Sequence, residues 1–420
     1  MKFLKVSGTP SEIGYSHGKN LAKEIKNNVE ITSFMFKKGW KKDWDWIKDF
    51  TVSNFNKKID NDIIEEMKGM VKGASDSGEK LDFEDIFALN ATFDIDSYLT
   101  SKRKIENAGK VAGGCSSFLV SGTQTADNSY LLAHSTWSNY VLKARYNLFE
   151  VIIPNSGYPF AMQTAPGFVF SGTDFYYNSL GIGISETTID GMKTYNIDGV
   201  PIFQRLRKAI QHSRSIEDVL RFLSEQNTGG YANDYLVGDA NSHKIASIEL
   251  GSYNISAHIR ESGFFASSNV ALAREIREET DIDYSVWSSD NTRYKRLISL
   301  LDKNTIDVEY AKTIFSDHYD IELQTDKPGK NSICGHREVE ERLDAFDKEP
   351  PFYPFGAIDA KIVTGKGALE GYSFFKWGKA CDTPFMSELF LKAHPEYEYM
   401  RPYISDLISE PWKIIKHGWV

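Results

Sequence analysis

At Cys115 the chain changes texture, and that change constrains the fold more than any other feature. Before it, residues 1–114 are rich in helix formers and charge. After it comes a series of short runs that alternate with period two, separated by turn residues. The junction reads Val111-Ala112-Gly113-Gly114-Cys115-Ser116-Ser117-Phe118-Leu119-Val120, so two glycines end a polar segment and a cysteine opens an apolar run. Ser121-Gly122-Thr123-Gln124 supplies a turn, and Ser129-Tyr130-Leu131-Leu132-Ala133-His134 a second run. A hairpin is predicted directly behind the cysteine.

A thiol at the head of such a hairpin, preceded by residues too small to obstruct it, suggests self-cleavage. It can attack the carbonyl of Gly114, form a thioester and be released by water as a new N-terminal cysteine. A free α-amine titrates near ~7.7–8.0 and takes a thiol proton at neutral pH, so one residue then carries both nucleophile and base. The bland alternative is a structural thiol, since free cysteine is among the most buried residue types.

In the N-terminal part, Ser11 and Glu12 open a helix with Ile13, His17, Leu21, Ile25 and Val29 at helical spacing. Further helices are read over residues 34–50, 63–74 and 81–90, and a surface loop over 101–114. Trp40, Trp44 and Trp46 among lysines read as a core stripe with a solvated face rather than a membrane-dipping helix. Beyond Cys115, strands are read at 118–120, 130–133, 149–153, 168–171, 175–178, 181–186, 235–239, 244–250, 255–258 and 264–268. Helices over 201–212 and 216–226 interrupt them; helices return at 271–279, 293–301 and 308–315, before strands near 357–364 and 373–377. Strands flanked by helices predict stacked sheets under helical layers, an α+β chain forming one structural domain from residues 1–114 and 115–420.

A net charge of −9 excludes nucleic acid and anionic membrane as natural partners. No secretory leader or apolar run long enough to span a membrane is read, so no stable membrane insertion and a cytoplasmic setting are expected; a mature chain with its leader removed reads the same. Three cysteines, Cys115, Cys334 and Cys381, make no disulfide framework. Cys334-Gly335-His336 with Cys381 matches no zinc spacing, and neither a metal nor another cofactor is expected. The oligomeric state is open between a monomer and a homodimer.

The opening block Gly8-Thr9-Pro10-Ser11-Glu12-Ile13-Gly14-Tyr15-Ser16-His17-Gly18 resembles the pro-segment of autoproteolytic acyltransferases related to penicillin acyltransferase. There His17 reads as a packing or capping residue. From Cys115 onward the chain resembles the phospholipase B-like family of N-terminal-nucleophile hydrolases. The matching pieces are Cys115-Ser116-Ser117, Ala133-His134-Ser135-Thr136-Trp137-Ser138-Asn139-Tyr140, Pro166-Gly167-Phe168-Val169-Phe170-Ser171-Gly172-Thr173-Asp174-Phe175-Tyr176, Glu186-Thr187-Thr188-Ile189, Asn227-Thr228-Gly229-Gly230-Tyr231-Ala232-Asn233, Ala266-Ser267-Ser268-Asn269-Val270 and Gly356-Ala357-Ile358-Asp359.

The resemblance implies a four-layer αββα sandwich of two stacked, mainly antiparallel sheets. It also implies cleavage between Gly114 and Cys115, with Cys115 then attacking a linear amide or ester, lipid-like or a small acylated molecule. On the same footing His134 and Trp137 line the pocket behind the nucleophile. Thr187 and Asn233 flank the reacting carbonyl, Asn233 as oxyanion donor, and Arg260 matches the family's active-site arginine. Relatives among the penicillin acyltransferases and bile-salt hydrolases carry an aspartate near the position of His134, so their substrates do not carry over. Two other readings stay open: transfer of the acyl group to an amine, and an uncleaved, non-catalytic binding protein.

Overall fold

The first helix is capped at Thr9, two residues before the Ser11 expected to open it, and Glu12 closes the cap. The Thr9 side chain accepts from the Glu12 backbone N–H, and the Glu12 carboxylate accepts from the Thr9 N–H at 2.8 Å. The helix then runs through Pro10–Gly39, and Asp43 caps the next, Trp44–Phe55. The single helix expected over 34–50 is therefore the end of one and the start of another, divided at the Asp43 cap. The structure is a computed structural model that describes residues 1–102, 114–125, 128–225, 231–283, 288–303, 305–343, 348 and 353–419, with residue 144 described by its backbone alone. Most of the expected 101–114 loop, the last residue of the helix expected over 216–226 and residues 227–230 of the family block lie outside the described residues.

Two sheets carry the fold. The larger has eight strands in the order Lys2–Gly8, Leu148–Pro154, Phe160–Thr164, Phe175–Asn178, Ile182–Thr188, Asn233–Asp239, Lys244–Leu250 and Ile255–Arg260. Its pairs are antiparallel except the first, where Lys2–Gly8, a strand no local pattern announced, lies parallel to Leu148–Pro154. The smaller is antiparallel, ordered Gly263–Ser267, Ser116–Ser121, Leu131–Ser135, Asp359–Thr364, Tyr372–Trp377 and Lys413–Lys416.

Side-chain alternation sorts the core into layers. Leu119, Leu132 and Val363 of the small sheet meet Phe149, Val151, Tyr177 and Leu236 of the large one. Their neighbours Phe118, Val120, Ala133 and Ile362 point the other way, onto Leu297, Leu301 and Ile314 from helices Ser289–Leu301 and Val308–Ile314 and onto Phe315, which caps the second. On the far face of the large sheet, Ile152, Ile184 and Val237 pack under the N-terminal helices and helix Ile202–His212. Each large apolar side chain buried this way contributes about 1.5–3 kcal/mol. The expected αββα order is the observed one.

Two elements depart from expectation. Phe168-Val169-Phe170 is a buried turn, because its N–H groups go to Ala165 O and the Asn90 side chain rather than to a neighbouring strand. The helix expected over 271–279 shrinks to Arg274–Arg277, since Glu249 captures the N–H groups of Leu272 and Ala273, each at 2.6 Å.

Candidate active site

Cys115 immediately precedes strand Ser116–Ser121 and, by alternation, shares the inter-sheet face with Ser117 and Leu119. Both of its backbone groups are held from the C-terminal half. Its N–H donates to Oδ1 of Asn269 at 3.0 Å, and its carbonyl accepts from Nη1 of Arg293. Arg293, fully buried, also donates to Asn269 Oδ1 at 3.0 Å and to Asp290 at 2.7 Å, and its guanidinium lies 4.6 Å from the Trp137 ring. With the backbone fixed on two sides, the thiol points at Asp174, whose Oδ2 is 3.7 Å from Sγ.

Asp174 has φ +65°, uncommon for a residue with a side chain. His134 Nε2 is 3.8 Å from the same Oδ2. Burial, then the nearby Lys361 ammonium, hold the His134 imidazole well below its usual range, so it is neutral. Lys361 is buried, yet Thr136 Oγ1, Gln163 Oε1 and Thr173 O accept its protons at 2.5, 2.6 and 2.6 Å, and Asp359 lies 3.3 Å away. Burial, reinforced by the Asp174 carboxylate, pushes the Cys115 thiol well up, so in the uncut chain it needs a base. Burial also raises Asp174, making its carboxylate a better base than an exposed one. Glu186, its hydrogen-bonding neighbour, is raised further by burial and by Asp174 itself, as for two carboxyls sharing a proton.

The thiol opens on a cavity of about 240 Å³. Phe36 on the first helix and Trp40 just past its end, Phe93 on helix Thr92–Lys102, and Trp137, Tyr231 and Phe355 make much of it apolar. Residues before Cys115 thus form one wall. Gly114 also lines the cavity, wedged against Phe355 and Trp137: a Cβ there would lie 2.3 Å from Phe355 Cε1 and 2.7 Å from Trp137 Cβ. Arg145 also lines the cavity, donating to Thr32 Oγ1 at 2.9 Å with its guanidinium 4.6 Å from the Tyr146 ring. It makes no ion pair among the described residues, and its buried Nε has no hydrogen-bond partner.

A family model described as Phospholipase B matches residues 9–378. The chain belongs to the phospholipase B family. A curated relative is an uncharacterised protein of Archaeoglobus fulgidus, 25% identical over 246 residues, covering 56% of this chain and 41% of that one. Another is phospholipase B-like protein G of Dictyostelium discoideum, 23% identical over 269 residues, covering 55% and 44%. The chain therefore spans less than half the length of the curated relatives it matches. Among solved structures, a mutant of conjugated bile acid hydrolase from Clostridium perfringens aligns with TM-score 0.37 and 10% identity, covering 62% of this chain and 88% of that one. A second variant of the same enzyme gives 0.37 and 10%, covering 73% and 98%.

Of the residues singled out in the sequence, Cys115, His134 and Trp137 come together in this phospholipase B family member. Thr187 stands one step back: it bonds the Ser267 hydroxyl across the two sheets and accepts from the Asn269 N–H at 3.4 Å. Arg260 does not reach the site. It ends the edge strand Ile255–Arg260, exposed, donating to Phe264 O at 2.9 Å and covering the Phe265 ring. Arg293 is the arginine at Cys115. Asn233 shares a strand face with Tyr235 and Val237, which pack on the helix side of the large sheet. Its amide donates to Tyr231 O at 3.2 Å and Tyr235 OH at 2.9 Å, so Asn269 rather than Asn233 touches the nucleophile.

The sequence by itself assigns no role to Asp174, Asn269 or Arg293. The first two lie inside the family blocks quoted above, which is the signal that could have found them. Arg293 carries no local signal; only the packing of its helix on the small sheet brings it to Cys115. His17, expected to be a packing residue, is buried between Glu150 and Gly167, with Nδ1 2.8 Å from the Glu150 carboxylate and Nε2 accepting from the Gly167 N–H at 2.8 Å.

Proposed function

We propose that this chain is a cysteine hydrolase that cuts itself between Gly114 and Cys115 and then hydrolyses a linear amide or ester bearing an apolar acyl chain. One observation carries the reading: Cys115 is gripped through its N–H by Asn269 and through its carbonyl by Arg293, while its thiol faces a carboxylate and an apolar cavity.

In the cut, the Asp174 carboxylate takes the Sγ proton and sulfur bonds to the Gly114 carbonyl carbon. The Gly114–Cys115 C–N bond then breaks as the departing nitrogen takes up a proton. Water hydrolyses the thioester, leaving a Gly114 carboxylate and a free thiol. In turnover, the new α-amine occupies the place of the former amide, beside Asn269 Oδ1, and takes the thiol proton. The thiolate attacks the acyl carbonyl, the leaving amine or alcohol carries that proton away, and water releases the acid.

The cavity supports an apolar acyl chain, and Arg145 supplies a cation for a polar or anionic part of the substrate. Because the first helix and helix Thr92–Lys102 line the cavity, and Lys2–Gly8 is hydrogen-bonded into the large sheet, the N-terminal piece stays with the enzyme after the cut.

The test is hydrolysis of matched long- and short-chain acyl esters and amides by wild type and by Cys115→Ala, with hydroxylamine added in parallel. The reading predicts thiol-dependent release that favours long chains, with acyl hydroxamate formed only in competition with water. Equal turnover by Cys115→Ala overturns it. Hydroxamate formed to the exclusion of free acid favours acyl transfer, and no turnover on any substrate favours the binding-protein alternative.

A further inference from the structure

Away from Cys115 the fold gathers a second set of soft ligands. His318 follows helix Val308–Ile314, Cys334 and His336 lie just ahead of Arg337–Val339, and Cys381 follows strand Tyr372–Trp377. One ligand atom from each lies within 4.8 Å of all the others. His336 Nε2 is 3.5 Å from Cys334 Sγ and 3.3 Å from Cys381 Sγ, and the two imidazoles meet nearly at right angles, centroids 5.0 Å apart. Cys334 and His336 are buried, and both thiols are free.

We propose that His318, Cys334, His336 and Cys381 together hold one zinc ion. The spacing in the sequence matches no zinc pattern, because the ligands come from three separate stretches that only the fold brings together. Tetrahedral zinc, with Zn–S about 2.3 Å and Zn–N about 2.0–2.1 Å, sets sulfur and nitrogen about 3.5 Å apart, close to both sulfur–nitrogen separations here. The outer partners fit as well. His336 Nδ1 faces the Glu338 carboxylate at 3.3 Å, which leaves Nε2 bare toward the thiols, and Lys379 pairs with the same carboxylate. His318 Nε2 is buried without a hydrogen-bond partner. Two thiolates and two neutral imidazoles neutralise a divalent ion, and soft sulfur donors select zinc over magnesium or calcium.

Four protein ligands leave no position for water, so the ion is structural. What it braces is the wall of the cavity. Gly335, between two of the ligands, lies so close to Trp137 that a Cβ on it would come within 2.2 Å of the indole. Its carbonyl accepts from the Ala357 N–H at 3.0 Å, at the end of the short strand Phe355–Ala357 that pairs with Trp137–Asn139.

Elemental analysis of the purified full-length protein, with thiols counted after denaturation, tests the site. About one zinc per chain is expected. It should be lost in Cys334→Ser and Cys381→Ser and kept in Cys115→Ser. Cobalt loaded into wild-type protein should show the absorption of a tetrahedral, thiolate-bound ion, a readout that needs no variant to fold. Glu338→Gln should lower zinc affinity about 10–100-fold. Wild-type protein free of zinc overturns the proposal, whether its thiols are all reduced or Cys334 and Cys381 are joined. So does zinc that follows Cys115 rather than Cys334.

Discussion

The backbone N–H of Cys115 donates to Oδ1 of Asn269 at 3.0 Å, joining residues 154 positions apart. The same oxygen accepts from Arg293, whose other nitrogen grips the Cys115 carbonyl. Three residues thus form a closed circuit that fixes the direction of the thiol before any substrate is present.

Arg293 and Arg260 should behave oppositely. Arg293→Ala removes a buried ion-pair partner of Asp290 together with the donors to Cys115 and Asn269, and should cost about 3–5 kcal/mol of stability. Arg260→Ala, at an exposed strand end, should stay within about 0.5 kcal/mol of wild type and keep its activity. Urea titration of the two variants beside wild type checks both.

Asn269→Ala leaves the Cys115 nitrogen without its acceptor, while Asn269→Asp keeps one. Misplacement of a reacting group by about 1 Å costs on the order of 10²-fold in rate. The alanine variant should lose about that much in kcat/KM, and the aspartate variant should recover part of it.

Gly114 has no room for a side chain. Gly114→Ala forces a methyl onto Phe355 and Trp137, an overpacking worth about 1–3 kcal/mol. The variant should accumulate as uncut chain. Gly114→Ala combined with Phe355→Ala, which relieves the nearest clash, should cut faster than Gly114→Ala alone. Gel analysis of freshly made protein follows both.

Cutting should depend on pH through Asp174. The carboxylate serves as base only when ionised, and burial raises its pKa above the usual ~3.9 of an aspartate. The cutting rate should therefore rise with pH along a limb displaced upward from an ordinary carboxylate. Asp174→Asn should abolish that limb. Chain made by in vitro synthesis and shifted across the acid range gives the profile.

What the sequence made legible is what periodicity and short-range chemistry encode. The change of texture at Cys115 falls between helix Thr92–Lys102 and strand Ser116–Ser121, and the first helix begins within two residues of the Ser11 expected to open it, capped by Thr9. The hairpin behind Cys115 forms with Phe118 opposite Ala133. What failed was long-range: Lys2–Gly8 finds a parallel partner after residue 147, and Arg293 reaches Cys115 across 178 positions. Asn233 and Asn269 both precede apolar runs, and only strand register shows that the first turns from the thiol. Cys334, His336 and Cys381 are visible as a group in the sequence but at no zinc spacing; the fourth member of the proposed set, His318, is brought to them only by the fold.

The intact mass of freshly purified wild-type protein beside Cys115→Ala tests the central claim most directly. The account predicts two wild-type pieces, residues 1–114 and 115–420, the larger beginning at Cys115, and a single full-length chain in the variant. A wild-type chain that stays whole, or a Cys115→Ala chain cut at the same bond, would contradict it.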